Sequence, residues 1–465
     1  MIMPRLIPSD LRSLLRSGLS RSLVSLFIKL ATAGLTYVSY IILARMMDAG
    51  EYGYFAFGLT LATVLAIGAG MGQQTAILRF WAEENGKGRP EAAEAALAAG
   101  GGITVLASLA VGLGLALFAL VMSLVAPEGT PVWHYYATAV LVLPMALAEY
   151  NSAALRAQGS IWTALAPRDI VWRLILPGAA LLLGLLGLGL SGWGAILLAA
   201  GLLYVALLLQ YGCARALRYR LAPGLSGIIP FWRQRGKISL WLLFGGFINA
   251  LALNVDTIIV GIMLDPESAG AYFNAFRTAG LMTLFSFAIA LVVAPMIAQH
   301  FHAGDMRKAQ AILALGTWSG FAFSLVCFAV FLLFGDTIMG LFGDDYAAST
   351  PLLIILGLGF LADAATGPSR TVLMMTGHER SYALLFTLMV GLSIIAQIVA
   401  LPFFGLMGVA VVNSVARLLA YGLLSLYCIR QARLDPTILG VFRIGSAAAP
   451  TASAPSGKDS SEKPA

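Results

Sequence analysis

Residues 192–213 read GWGAILLAAGLLYVALLLQYGC, without one charge, and residues 214–237 follow as ARALRYRLAPGLSGIIPFWRQRGK, with six cations and no acid. Residues 238–263 then return to an apolar text, ISLWLLFGGFINALALNVDTIIVGIM. A run of this length can cross the hydrocarbon core of a bilayer, which takes about 20 helical residues for about 30 Å. Hydrocarbon offers no partner to backbone N–H and C=O groups, and a helix satisfies them within one segment. Apolar runs flanking a strongly basic linker therefore read as two membrane helices joined on the side that collects positive charge.

The same text recurs along the chain. Apolar runs fall near 23–45, 53–78, 98–125, 132–155, 169–190, 192–213, 238–263, 270–297, 311–335, 350–375, 381–402 and 405–429. With 59% hydrophobic and 11% charged residues and a mean hydropathy of +0.87, no polar surface could cover a water-facing globule. The reading is an all-α polytopic membrane protein of about twelve transmembrane helices. The 50 glycines suit helices that pack closely in lipid.

Charge orients the spans. Arg5, Arg12, Arg16 and Arg21 precede the first run, and Lys87, Arg89, Arg156, Arg307, Lys308 and Arg380 mark later linkers of the same parity as 214–237. The alternate linkers carry Asp48, Glu51, Glu128, Asp265, Glu267, Asp336, Asp344 and Asp345, with Arg45 their one cation. Basic loops stay inside, so both termini are expected in the cytoplasm and the number of spans is even. The net charge of +7 and pI near 9.4 then reflect topology and anionic lipid, not nucleic acid.

The expected organisation is a cytoplasmic amphipathic segment (1–22), a six-helix lobe (23–213), a basic cytoplasmic linker (214–237), a second six-helix lobe (238–430) and a cytoplasmic tail (431–465), disordered from about 447. An internal repeat supports the division. GRPEAAEAALAAG (88–100) aligns with GDMRKAQAILALG (304–316). Met46, Asp48 and Gly53 match Met263, Asp265 and Gly270, and Gly189, Leu190 and Gly192 match Gly405, Leu406 and Gly408. Six spans per half give both halves one orientation, hence a pseudo-twofold axis along the membrane normal and a central cavity suited to alternating access.

Nothing in the chain reads as an enzyme: no phosphate-binding loop, dinucleotide fingerprint or metal-ligand cluster stands out. Cys213, Cys327 and Cys428 lie in or at the ends of apolar runs and read as packing residues. His300 and His302 read as a solvated loop. The informative residues are the ionisable ones within spans: Lys29, Glu149, Asp256, Arg277, Asp363, Arg370 and Arg417. Asp256 and Arg277 lie at similar depth on adjacent spans, either as an ion pair pinning that hairpin or as a ligand site. Asp363 and Arg417 near the middle of their spans allow the same two readings. Glu149, Arg173, Arg370 and in part Lys29 can snorkel to the cytoplasmic face. The excess of cations suits an anionic cargo, since Arg grips a diphosphate bidentately.

ILARMMDAGEYGYFAFGLT (42–60), NVDTIIVGIMLDPESAGAYFNAFRTAG (254–280), LFGDDYAASTPLLIILGLG (341–359) and GLMGVAVVNSVARLL (405–419) together resemble the polysaccharide-transporter, O-antigen flippase (Wzx-type) branch of the MOP (MATE-like) superfamily, over about residues 20–430. The resemblance implies two six-helix lobes in the bacterial inner membrane and flipping of undecaprenyl-diphosphate-linked oligosaccharide for O-antigen, capsule or exopolysaccharide. It implies glycosyltransferases and a polysaccharide polymerase as partners. Arg277, Lys29, Arg417 and Arg370 are then the candidate substrate-binding residues. Asp256 and Asp363 are the candidates for H⁺ or Na⁺ coupling, since acids on helices seven and ten serve that purpose in the drug-exporting MATE branch. A MATE-type multidrug exporter is the alternative, and it would prefer a more acidic or aromatic pocket.

The topology has a direct check. Reporter fusions at Pro223 and Asp345 should give opposite signals, the former cytoplasmic; matching signals would overturn both the orientation and the repeat.

Overall fold

The computed structural model of the chain describes residue 28 and residues 30–444, apart from 128, 129 and 222. The segment 1–22, Lys29, Glu128 and the tail from 447 lie outside the described residues. Among the described residues every regular element is helical. In chain order they are α1 (Leu30–Met46), α2 (Ala49–Ala69), α3 (Gln73–Gly86), α4 (Pro90–Val125), α5 (Trp133–Ala157), α6 (Trp162–Ala166), α7 (Trp172–Leu185), α8 (Gly192–Ala216) and α9 (Ile228–Met263). After these come α10 (Pro266–Gly280), α11 (Thr283–His302), α12 (Met306–Gly340), α13 (Asp344–Ala347), α14 (Thr350–Thr366), α15 (Ser369–Met375) and α16 (Glu379–Tyr427).

Eight of the described helical stretches are long and apolar enough to cross a membrane, nine with α10 and α11 taken as one bent span. The twelve expected runs all have counterparts, some of them broken. The run at 169–190 is divided by a π turn at Pro167–Val171 ahead of α7. The run at 270–297 bends by 42° between α10 and α11. The last two runs form the single continuous stretch α16, interrupted at Gly405, where φ +58° and ψ −150° are conformations a side chain would resist. Helix α9 starts at Ile228, earlier than the expected 238, so the basic linker is partly helical. Charge compensation permits this: Arg235 pairs with Glu83 at 3.0 Å and with Glu84, and its guanidinium lies over the Phe80 ring.

Local chemistry sets several ends. Asp265 caps α10 by accepting from Ser268 N at 2.8 Å, with Pro266 at the first helical position, where no N–H is needed. Asp305 caps α12 through Lys308 N at 3.1 Å. The start of α8 is satisfied from two sides, by Ser191 Oγ on Gly194 N and by Glu51 Oε2 on Gly192 N at 2.5 Å.

Two lobes result. Helices α2, α4, α5 and α8 pack on one another, as do α10, α11, α12, α14 and α16, with α9 lying against α2 and α16. Large apolar side chains such as Leu124, Leu185, Leu208, Leu333 and Phe403 remain exposed around the outside, the surface a bilayer would cover. The lobes meet where α2 crosses α10. A Cβ on Gly53 would lie 1.7 Å from Pro266 O, and one on Gly270 would lie 3.4 Å from Gly53 Cα. These two glycines are counterparts in the sequence repeat, and residues exchanged by a twofold axis can touch only near that axis. Around the crossing, Tyr52 donates to Asn274 Oδ1 at 2.6 Å. Arg45 reaches from α1 to Leu341 O (2.6 Å) and Gly340 O (2.9 Å) at the end of α12. The lobes are thus closed on the side of the acidic linkers.

Because backbone occupies the space a Cβ would need, Gly53→Ala should destabilise the purified protein by about 1–3 kcal/mol, seen as a lower thermal midpoint in detergent. Gly114→Ala, where nothing lies within 4 Å, should leave the midpoint unchanged. An unaffected Gly53→Ala protein would refute the close crossing.

Candidate functional site

Above that closure lies a cavity of about 770 Å³, within the range of sites that enclose small ligands. Its walls come from α1 (Thr36, Tyr37, Tyr40), from α10 and α11, and from α9, α12, α14 and the second half of α16. It reaches from Tyr40 and Arg277 to residues 367–370, the end of α14 and start of α15. Among the described residues three cations, Arg277, Arg370 and Arg417, line it against one acid, Asp363.

Amide oxygens and aromatic rings hold the guanidiniums, with a carboxylate beside Arg417 alone of the three. Arg277 Nη2 donates to Asn254 Oδ1 at 2.8 Å, and its Cζ lies 5.1 Å from the Phe273 ring centre. Its Nε is buried and unpartnered among the described residues. Arg370 reaches Asn249 Oδ1 at 3.4 Å and lies over Tyr382. Arg417 stacks over Phe360 at 4.1 Å and Phe276 at 5.4 Å, and its Nη1 lies 3.8 Å from Asp363 Oδ2. Stacking on aromatic faces fixes a guanidinium plane without consuming its donors. The arrangement can therefore present a planar fork to an anion.

Asp256 sits deeper, in a small pocket between α9 and both halves of α16 that shares Asn249, Leu253, Arg417 and Tyr421 with the main cavity. Its Oδ2 accepts from Tyr272 OH at 3.0 Å and from Asn413 Nδ2. Gln397 lies against the same carboxylate, its Oε1 buried without a partner among the described residues. Of the two readings of Asp256 and Arg277, the ion pair is not formed among the described residues. Residues two apart on a helix face nearly opposite ways, so Arg277 meets Asn254 on α9 while Asp256 points to α10 and α16. The other expected couple does form across α14 and α16, as Arg417–Asp363. Glu149 pairs with Arg168 Nη1 at 2.6 Å, and Arg168 Nε also donates to Asp169 at 2.8 Å.

The family model described as Polysaccharide biosynthesis protein matches residues 19–301, more than half of the chain. The chain belongs to that family. A second model, MatE, matches residues 242–400 within the same superfamily of folds. Among curated relatives of this polysaccharide biosynthesis protein, the probable low-salt glycan biosynthesis flippase Agl15 of Haloferax volcanii is 24% identical over 48% of the chain and 49% of its own length. The succinoglycan biosynthesis transport protein ExoT of Rhizobium meliloti is 26% identical over 74% of the chain and 66% of its own. The chain thus spans about half of the first and under two thirds of the second. A multidrug resistance MATE family transporter of the MOP superfamily, solved in an inward-facing conformation, superposes with a TM-score of 0.70 at 13% identity, over 89% of this chain and 95% of that one. The fold is that of the MATE-like transporters.

Reading charges alone missed the groups that hold them. Asn254, Tyr272, Gln397 and Asn413 are uncharged and do not stand out in apolar text. A signal was present: Asn413 precedes Arg417 by one helical turn, and Asn254 lies in the same NVDT stretch as Asp256.

For the pair that does form, Asp363→Asn and Arg417→Gln should together cost less thermal stability than the sum of the single changes, by roughly 1 kcal/mol. Strict additivity would show the two side chains to be independent.

Proposed function

We propose that this protein flips an undecaprenyl-diphosphate-linked oligosaccharide from the inner to the outer leaflet of the bacterial inner membrane. The basic linkers and both termini then lie in the cytoplasm. The observation that carries this reading is the composition of the cavity, three arginines against one carboxylate, on a chain of the polysaccharide biosynthesis family. A diphosphate is the anionic element common to such carriers, and Arg277, Arg370 and Arg417 supply planar donors for it. The polyprenyl chain stays in lipid while the polar head occupies the cavity, so the work of transport is to shield charge and sugar from hydrocarbon.

Alternating access follows from the closure described above. With the lobes sealed at Gly53, Gly270, Tyr52 and Arg45, the cavity serves the basic-linker side; opening that seal and closing the opposite end would deliver cargo outward. Asp256 and Asp363 are assigned to cation coupling with H⁺ or Na⁺. Asp256 lines the small pocket beside the cavity wall, and Gln397, which lies against its carboxylate, has an amide oxygen without a partner among the described residues. Glycosyltransferases would supply the cargo and a polymerase would consume it. The multidrug-exporter alternative is disfavoured by the cationic cavity, which repels the cationic drugs an acidic pocket would attract.

In cells lacking the gene, lipid-linked glycan should accumulate in the inner leaflet, and the wild-type protein should clear it. Arg277→Ala should abolish clearance while the protein still accumulates in the membrane. Arg277→Lys should recover only part, having lost the planar fork. Normal glycan output from well-expressed Arg277→Ala would sink the proposed role of the cavity.

A further inference from the structure

One neutral side chain touches both the deep acid and the cavity cation. Asn413 Nδ2 donates to Asp256 Oδ2, and Asn413 Oδ1 accepts from Arg417 Nε at 3.0 Å. Asn413 is 5% exposed and Asp256 3%, so these bonds lie within the interior of the bundle. Arg417 in turn lines the cavity and is stacked on Phe360, with Asp363 3.8 Å from its Nη1. We infer that Asn413 is the positioning residue that links the charge at Asp256 to the placement of Arg417, and so couples the ion site to the cargo site.

The chemistry of the primary amide makes the link directional. Its NH₂ end only donates and its oxygen only accepts. An ionised Asp256 accepts only, so it draws the NH₂ end and leaves the oxygen facing Arg417, which can only donate. The two bonds therefore enforce one amide orientation, and that orientation ties down Nε of the guanidinium. Without the negative charge, the group at position 256 presents a donor as well as an acceptor, so the charge-assisted bond that selects this orientation is lost and the reversed amide also finds a partner there. An amide that turns over presents a donor to Arg417, donor faces donor, and the guanidinium is released toward the cavity. An aliphatic side chain at position 413 offers no polar end, and a hydroxyl carries its donor and acceptor on one atom, too short to span the two partners that Asn413 holds with Nδ2 and Oδ1. The neighbouring contacts do not substitute for it: Tyr272 and Gln397 bond to Asp256, and Asp363 pairs with Arg417, without a bond to the other member.

This inference rests on the cargo role proposed above for the cavity, so its test carries a control for that role. The full-length protein in lipid nanodiscs would be titrated with farnesyl diphosphate, and with farnesol as the uncharged comparison. With Asn413 intact, Asp256→Asn should tighten farnesyl diphosphate binding by about tenfold, because Arg417 is freed. In the Asn413→Leu background the same change should tighten it by less than about threefold, the remainder being through-space repulsion. The loss caused by Arg277→Ala should be equal in both backgrounds, which a merely structural disturbance at 413 would not preserve. Equal tightening with and without Asn413 would overturn the relay, as would an unchanged affinity in Asp256→Asn alone. A wild-type protein that binds farnesyl diphosphate no better than farnesol would overturn the cargo reading and the relay with it. Should Asn413→Leu fail to accumulate, Asn413→Ser, whose single hydroxyl reaches just one of the two partners, takes its place with the same expected outcome.

Discussion

The crossing of α2 and α10 is the constraint on which the rest of the molecule depends. Two helices can approach this closely in lipid only where side chains are absent from the interface, and Gly53 against Pro266 and Gly270 meets that condition. The contact brings the lobes together at one end and leaves them apart at the other, which creates the cavity. It also explains the groups around it. Tyr52 and Asn274 close a hydrogen bond in a place from which water is excluded. Arg45 serves the carbonyls at the end of α12, where helix ends carry partial negative charge. Aromatic side chains from both lobes pack around the crossing as well, Tyr40 on Phe273 and Tyr52 on Tyr346.

The two halves share a fold but divide the labour of polarity. Under the repeat, Asp256 falls on Ser39, Arg277 on Thr60 and Arg417 on Gly201. Ser39 bonds to the carbonyls of Leu35 and Arg173, and Thr60 to that of Ala56, so the first half uses short hydroxyls that satisfy themselves on the backbone. The second half places ionised groups at the corresponding positions and must supply partners for them. Asn254, Tyr272 and Asn413 provide those partners, with Phe273, Phe276 and Phe360 stacked on the guanidiniums. The charge in this bundle is accordingly concentrated where neutral polar groups and aromatic faces can hold it. The cavity inherits its cationic character from one lobe.

Much of the architecture was legible from the amino-acid text by itself: the helical class, the apolar runs and the membrane setting. Those are properties of local composition, because hydropathy and the demand for internal backbone bonding act within a single segment. The Gly53 and Gly270 correspondence was also legible as a repeat, though that the two would touch was not. The interruptions at Pro167–Val171, at Leu281 and at Gly405, the early start of α9 at Ile228, and the partners of the buried charges were decided by packing. Asp256 was drawn to Asn413, distant in sequence, rather than to Arg277 on the next helix, because the helix turned its face that way. Arg235 could enter a helix only because Glu83 and Glu84 from the other lobe stood beside it. Sequence sets how much charge the membrane interior must tolerate, and tertiary structure decides which groups hold that charge, since a hydrogen bond depends on direction and distance that no linear pattern carries.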